Sequence, residues 1–249
     1  MLIDAEKCIK CKLCVPYCPM QCIHEGEKTM FIDEDECVEC GICKRNSKCP
    51  TDAFTQQFLV MPRAVRKAFS DPFGKHENTE MKHMGRGTEE VKTNDVTGII
   101  HDLGRIAIAV ELGRPGVGAW MKDVEKVSRT VARFDVNFEK NNPLNAYIVD
   151  LKTGQLDPTI MNEKILSGII EFNIHISQVK DVLAALKRVA NEVETVFSVA
   201  VICKVDNSNM PSVENILVDE GYDIKSSSSK TNMGIGRPLY EDRIKGVKP

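Results

Sequence analysis

The chain has 249 residues and 27.8 kDa, 42% apolar and 28% charged, which suits one or two soluble domains with a sizeable core. Thirty-three Lys and Arg against 36 Asp and Glu leave a net charge of −3, so no basic excess invites nucleic acid or an anionic membrane. No apolar run reaches the roughly 18 residues of a membrane span, and the opening residues lack a secretory signal pattern, so a cytoplasmic protein without membrane insertion is expected.

Nine of the ten cysteines lie in the first 49 residues, and the tenth is Cys203. A disulfide framework belongs to an exported chain in an oxidising compartment. Metal or cluster ligation is the better reading. The segment is a tandem repeat. Cys8, Cys11 and Cys14 at two-residue intervals lead to Cys18-Pro19; Cys37, Cys40 and Cys43 at the same intervals lead to Cys49-Pro50. Three residues separate the last two Cys of the first motif and five those of the second, Lys44-Arg45-Asn46-Ser47-Lys48. Paired zinc sites are the rival for CxxC spacings, but they leave the regular third Cys and the Cys-Pro step without a role.

Residues 1–58 resemble the bacterial-type ferredoxin with two [4Fe-4S] cubanes, on both Cys motifs and the Cys-Pro steps quoted above. In that family the Cys before Pro serves the other cluster. The resemblance therefore implies one cluster on Cys8, Cys11, Cys14 and Cys49, and a second on Cys37, Cys40, Cys43 and Cys18. Pro19 and Pro50 fix φ just after the crossing ligand. Cys22 stands where the second repeat has Ala53 and reads as a small packing residue. The longer second motif should bulge its loop and alter hydrogen bonding near the clusters. Residues 1–60 hold seven Lys/Arg and ten Asp/Glu, and the run Asp33–Glu36 suits either steering of a basic partner or a solvated turn.

Residues 60–96 read as an ordered connecting arm, with helical pattern over Arg63–Phe69 and a turn at Asp71-Pro72-Phe73-Gly74. His76 and His83 lack ligand spacing and read as surface residues. Gly85-Arg86-Gly87 is no nucleotide fingerprint, because no strand precedes it.

Residues 97–249 read as an α+β domain in two β-α-β halves. The first comprises strand Arg105–Leu112, helix 117–134 with Trp120 on its core face, and strand Asn145–Leu151. The second comprises strand Gly168–Ile176, helix Gln178–Val193 and strand Thr195–Val205. The expected fold is thus a ferredoxin-type module followed by a duplicated β-α-β sandwich of ferredoxin-like or ACT-like type. Cys203 reads as a core thiol, and His101 and His175 lack a recognisable Ser or Cys partner. Gly113-Arg114-Pro115 and Gly236-Arg237-Pro238 suit either ordinary turn chemistry or a pocket in which Arg114 and Arg237 take a carboxylate, a phosphate, a flavin or a partner.

The segments Gly85–Glu90 and Lys92–Gly98, with the late Gly-Arg-Pro, are similar to the iron–sulfur portion of 6-hydroxynicotinate reductase-type proteins over most of residues 85–240. Those reductases also carry flavin, for which no domain is evident here. The leading expectation is electron transfer in anaerobic metabolism, as a subunit or dedicated partner of a larger flavin, Mo/W or other oxidoreductase, in a homo- or hetero-oligomer. The alternatives are a reductase of aromatic or heteroaromatic acids, and a redox or ligand sensor built on an ACT-like domain.

Overall fold

A computed structural model describes residues 1–73, 104–114, 116–139, 142–203 and 213–222. The expectations on His76, His83, His101, Gly85-Arg86-Gly87 and Arg237 lie outside the described residues.

The N-terminal segment is built from two copies of one short unit. Strands β1 (Leu2–Ile3), β2 (Ile23–Glu25), β3 (Met30–Ile32) and β4 (Phe54–Thr55) pair crosswise: β1 with β4, and β2 with β3, both antiparallel. Each unit's first strand is thus completed by the other unit's last. The backbone repeats bond for bond. Cys8 N–H donates to Asp4 O and Cys37 N–H to Asp33 O, each at 3.0 Å; Asp4 N–H donates to Ala53 O at 2.7 Å and Asp33 N–H to Cys22 O at 2.8 Å. The left-handed residues also recur in pairs, Lys10 with Glu39, Lys12 with Gly41, and Gln21 with Asp52. Such a φ strains a side chain with a Cβ, so the turns are held by what surrounds them rather than by local preference.

The symmetry fails at the longer Cys spacing. A single 3-10 turn, Val15–Tyr17, follows Cys14, whereas the five-residue helix α1 (Ile42–Asn46) runs through Cys43. The two extra residues are wound into helix rather than bulged outward. Arg45 is anchored there, donating to Cys40 O and pairing with Asp71 at 3.2 Å, so this cation is not a free surface charge.

Helix α2 (Ala64–Ser70) matches the expected helical pattern and lies on the second domain. Its Val65 and Phe69 are buried in the same apolar cluster as the large sheet, and Ser70 Oγ accepts the N–H of Leu166 at 2.9 Å.

The sheet contains β5 (Arg105–Leu112), β7 (Asn137–Phe138), β11 (Gly168–His175) and β12 (Phe197–Ile202), in the order β12-β5-β11-β7 with antiparallel neighbours. Helix α3 (Met121–Val131) connects β5 to β7, and α4 (Val179–Val189) connects β11 to β12. Alternation in the sequence sets the faces. Ile106, Ile108, Val110 and Leu112 of β5 face the core beside Ile170, Phe172 and Ile174 of β11, all fully buried. Val124, Val127 and Val131 of α3 and Val182, Leu186 and Val189 of α4, at helical spacing, close the same core. Each such side chain contributes on the order of 1.5–3 kcal/mol by leaving water. Among the described residues a further helix, α5 (Glu214–Asp219), follows.

Two expectations are corrected. Residues 145–151 are not the strand that completes the first half. Asn145–Tyr147 form a 3-10 turn, and β8 (Ile148–Asp150) pairs with β9 (Gln155–Leu156) apart from the main sheet. The sheet partner is β7, where Phe138 sits opposite Phe172. Asn145 turns because its amide donates to the carbonyls of Glu139 and Glu171. The first helix begins at Met121 rather than at 117, because Gly116 and Gly118 have positive φ and β6 (Ala119–Trp120) pairs with β10 (Lys164–Ile165). The opening N–H groups of α3 are taken by Glu163 O and Met161 O.

Candidate iron–sulfur centre

The left-handed turns at Lys10 and Lys12, and again at Glu39 and Gly41, fold each run of three Cys inward on itself. Two cavities result. Cys8, Cys11, Cys14 and Cys49 line the first, with apolar Ile3, Met30 and Phe54 among the other walls. Cys18, Cys37, Cys40 and Cys43 line the second, with Cys22, Ile23, Ile32 and Met20. All eight thiols that the sequence singles out thus line the two cavities, and of these eight each cavity takes one from the opposite repeat. Among the described residues no three His, Cys, Asp or Glu groups close on a point that would hold a single ion. The donors ring a space, which suits a multi-atom cluster better than one tetrahedral zinc.

Backbone donors meet the crossing thiols in matched geometry: Cys22 N–H reaches Cys18 Sγ at 3.4 Å, and Ala53 N–H reaches Cys49 Sγ at 3.4 Å. Burial raises the Cys49 thiol, but the N–H groups of Ala53 and Thr51 and the Thr51 hydroxyl more than offset it, so it lies below the ordinary value. Burial also raises Cys8, and Thr29 with the N–H groups of Lys10 and Met30 likewise brings it below that value. Burial pushes Cys14 and Cys40 up and takes Cys43 to about 12. These groups ionise most readily on binding a cation, since the thiolate is the ligand form.

Cys22 is buried on the second cavity, 3.4 Å from Cys18 Sγ. Its hydrogen bonds to Cys18 and Cys37 hold its own thiol protonated and push theirs down. It is thus both a packing residue of the small core and a hydrogen-bonding neighbour of the crossing thiol Cys18. Ala53 at the matching place leaves the first cavity without that extra thiol.

The two cavities differ in setting. Cys11 is exposed, and Ile9, Leu13 and Tyr17 beside it are 63%, 49% and 42% exposed. The second cavity faces the sheet domain. Arg66 of α2, 3% exposed, donates to Cys37 O at 3.0 Å, Asp35 O at 2.7 Å and Glu34 O at 3.0 Å, and pairs with Glu163. Lys164 pairs with Glu36. Trp120 is half-buried rather than a core residue. Its ring carries Arg66, Lys122 and Lys164 at 5.9, 5.6 and 5.4 Å, a cationic platform against the acidic run 33–36. The sequence gives no local signal for Arg66, whose partners lie about 30 and 97 residues away.

Arg114 is half-exposed, pairs with Glu111 at 3.3 Å and donates to Ser167 Oγ at 3.3 Å. Its loop serves contact with the module. Gly118 has φ +73°, and a Cβ there would come within 2.8 Å of Met20 Cε, two residues after Cys18. Gly113 has φ +90° and faces Leu166 O, 2.6 Å from where a Cβ would stand. His175 bonds Ser177 Oγ at 2.8 Å and accepts its N–H, an exposed helix-start cap rather than a catalytic pair. Cys203 is half-buried against the sheet core.

A family model for the 4Fe-4S binding domain matches residues 1–24, the span of the first Cys motif. No solved structure matches the chain. The N-terminus therefore carries a ferredoxin-type, 4Fe-4S-binding segment, in a chain of mixed α and β structure. Among the described residues no helix is long and apolar enough to cross a membrane.

Proposed function

We propose that the protein is a cytoplasmic electron-transfer protein carrying two [4Fe-4S] clusters, and that it works as a subunit or dedicated partner of a larger oxidoreductase. The observation that carries this reading is the pair of thiol-lined cavities, each drawing three of the eight motif Cys from one repeat and one from the other. Cys8, Cys11, Cys14 and Cys49 would hold one cluster; Cys37, Cys40, Cys43 and Cys18 the second. A bound cubane supplies one-electron chemistry at low potential. The chain's own residues exclude water, supply thiolates and donate hydrogen bonds to them. The 4Fe-4S family match supports the role.

The module would span 1–59, an arm 60–96, and a partner-docking domain 97–249 of ferredoxin-like or ACT-like type. The sheet order β12-β5-β11-β7, with one helix over each β-α-β unit, favours that sandwich. Electrons would enter or leave at the first cavity, whose Cys11 is exposed, while the second lies against the sheet domain.

Anaerobic purification of the chain with its native partners tests this directly. The expected result is about eight iron and eight sulfide per chain, with an oxidoreductase co-purifying and reducing or oxidising the clusters. Zinc in place of iron, or a chain that exchanges no electrons with any co-purifying enzyme, would overturn it.

A further inference from the structure

Ser47 lies within the longer second Cys motif, and Pro16 stands at the matching distance before Cys18 in the first. The Ser47 side chain is buried at 4% exposure, and its Oγ has no hydrogen-bond partner in the chain. It lines the first cavity together with Cys8, Cys11, Cys14 and Cys49. A buried hydroxyl left without a partner is disfavoured, so the chain alone does not explain this placement. The second cavity has no Ser, Thr or Tyr in its lining. The hydroxyl is brought in by the added helical turn: Ser47 caps α1, its N–H donating to Cys43 O at 3.1 Å.

We propose that the Ser47 hydroxyl donates a hydrogen bond to the sulfur of the cluster held in the first cavity and raises that cluster's reduction potential. The inference rests on the two-cluster reading above. On reduction, one electron arrives from a low-potential protein donor and the site gains one negative charge. No covalent bond forms or breaks, and Ser47 keeps its proton. A donor aimed at the sulfur stabilises the more negative state, which moves the potential upward. The extended spacing thereby sets the two clusters apart: the first is tuned by the Ser47 hydroxyl, which has no counterpart in the lining of the second cavity.

The test is an anaerobic redox titration of the full-length chain followed by EPR, comparing wild type, Ser47→Ala, Ser47→Gly and Ser47→Thr. Wild type is expected to show two potentials. In Ser47→Ala one of them falls, with a change of about tenfold in the reduced-to-oxidised ratio at fixed potential, or about 59 mV for one electron. Iron and sulfide content stay at the wild-type level, and Ser47→Thr, which keeps the hydroxyl, restores the potential. Unchanged potentials in a fully loaded Ser47→Ala overturn the hydrogen bond and leave the two-cluster reading standing. A wild-type chain that holds fewer than two clusters overturns that reading itself. Loss of the first cluster from both Ser47→Ala and Ser47→Gly would assign Ser47 to the folding of its loop and would also overturn the proposal.

Discussion

Arg66 Nη1 lies 3.0 Å from the carbonyl oxygen of Cys37, so a helix of the arm, packed on the sheet domain, grips the backbone at a thiol of the second cavity. The same guanidinium pairs with Glu163, which is 9% exposed. Arg66→Met removes the cation and leaves that carboxylate buried and uncompensated. The expected cost is about 3–5 kcal/mol, read as a lower thermal midpoint of the loaded chain. Adding Glu163→Gln should recover part of it. An unchanged midpoint in Arg66→Met would mean that the two domains are held by other contacts.

Crossing of the thiols is checked by two neighbouring substitutions. Cys18→Ser should damage the cluster on Cys37, Cys40 and Cys43 and spare the one on Cys8, Cys11 and Cys14. Cys22→Ala should retain both clusters, while the spectrum of the second shifts as the thiol 3.4 Å from Cys18 Sγ disappears. Iron analysis and EPR separate the two. Damage to the first cluster in the Cys18 variant would reverse the assignment.

Phe69 is buried at 4% beside Tyr147, with ring centroids 5.8 Å apart. Phe69→Ala leaves a cavity in the sheet core and should cost about 3–5 kcal/mol, although the residue precedes that domain in sequence. Denaturant melts followed in the sheet domain would show the loss, with iron content unchanged. No loss would return α2 to a passive connector.

Cluster removal should act on the two cores differently. The small core contains Cys14, Cys22, Cys37 and Cys43 among only five other buried apolar residues, so without iron it loses its cross-links and should unfold. The sheet core contains none of the eight motif Cys. Hydrogen exchange after anaerobic chelation should therefore show fast exchange over residues 1–58 and retained protection in β5 and β11. Protection across both regions would show that the module folds without its clusters.

Much of the site is legible in sequence because ligand spacing is local: the positions of eight Cys and two Pro carry it. The strands Arg105–Leu112 and Gly168–His175 and the helix over 179–189 are legible for the same reason, since apolar periodicity reports burial directly. The order of the sheet is not local. A two-residue strand, Asn137–Phe138, has too little pattern to be seen, and the apolar run after Asn145 outweighs it. Trp120 looks like core by spacing, yet two glycines with positive φ delay the helix and leave the ring at the domain interface. Arg66, Cys22 and Ser47 escape because their meaning comes from partners that only the fold brings near.

The crosswise pairing of the four short strands bears on how the chain is made. As residues leave the ribosome, the second cavity has its last thiol once Cys43 emerges, whereas the first waits for Cys49 and for β4 to close beside β1. The thiols nearest the N-terminus are therefore synthesised first and enclosed last. Until then Cys8, Cys11 and Cys14 form an incomplete, open set, reachable by the machinery that delivers iron and equally by oxygen.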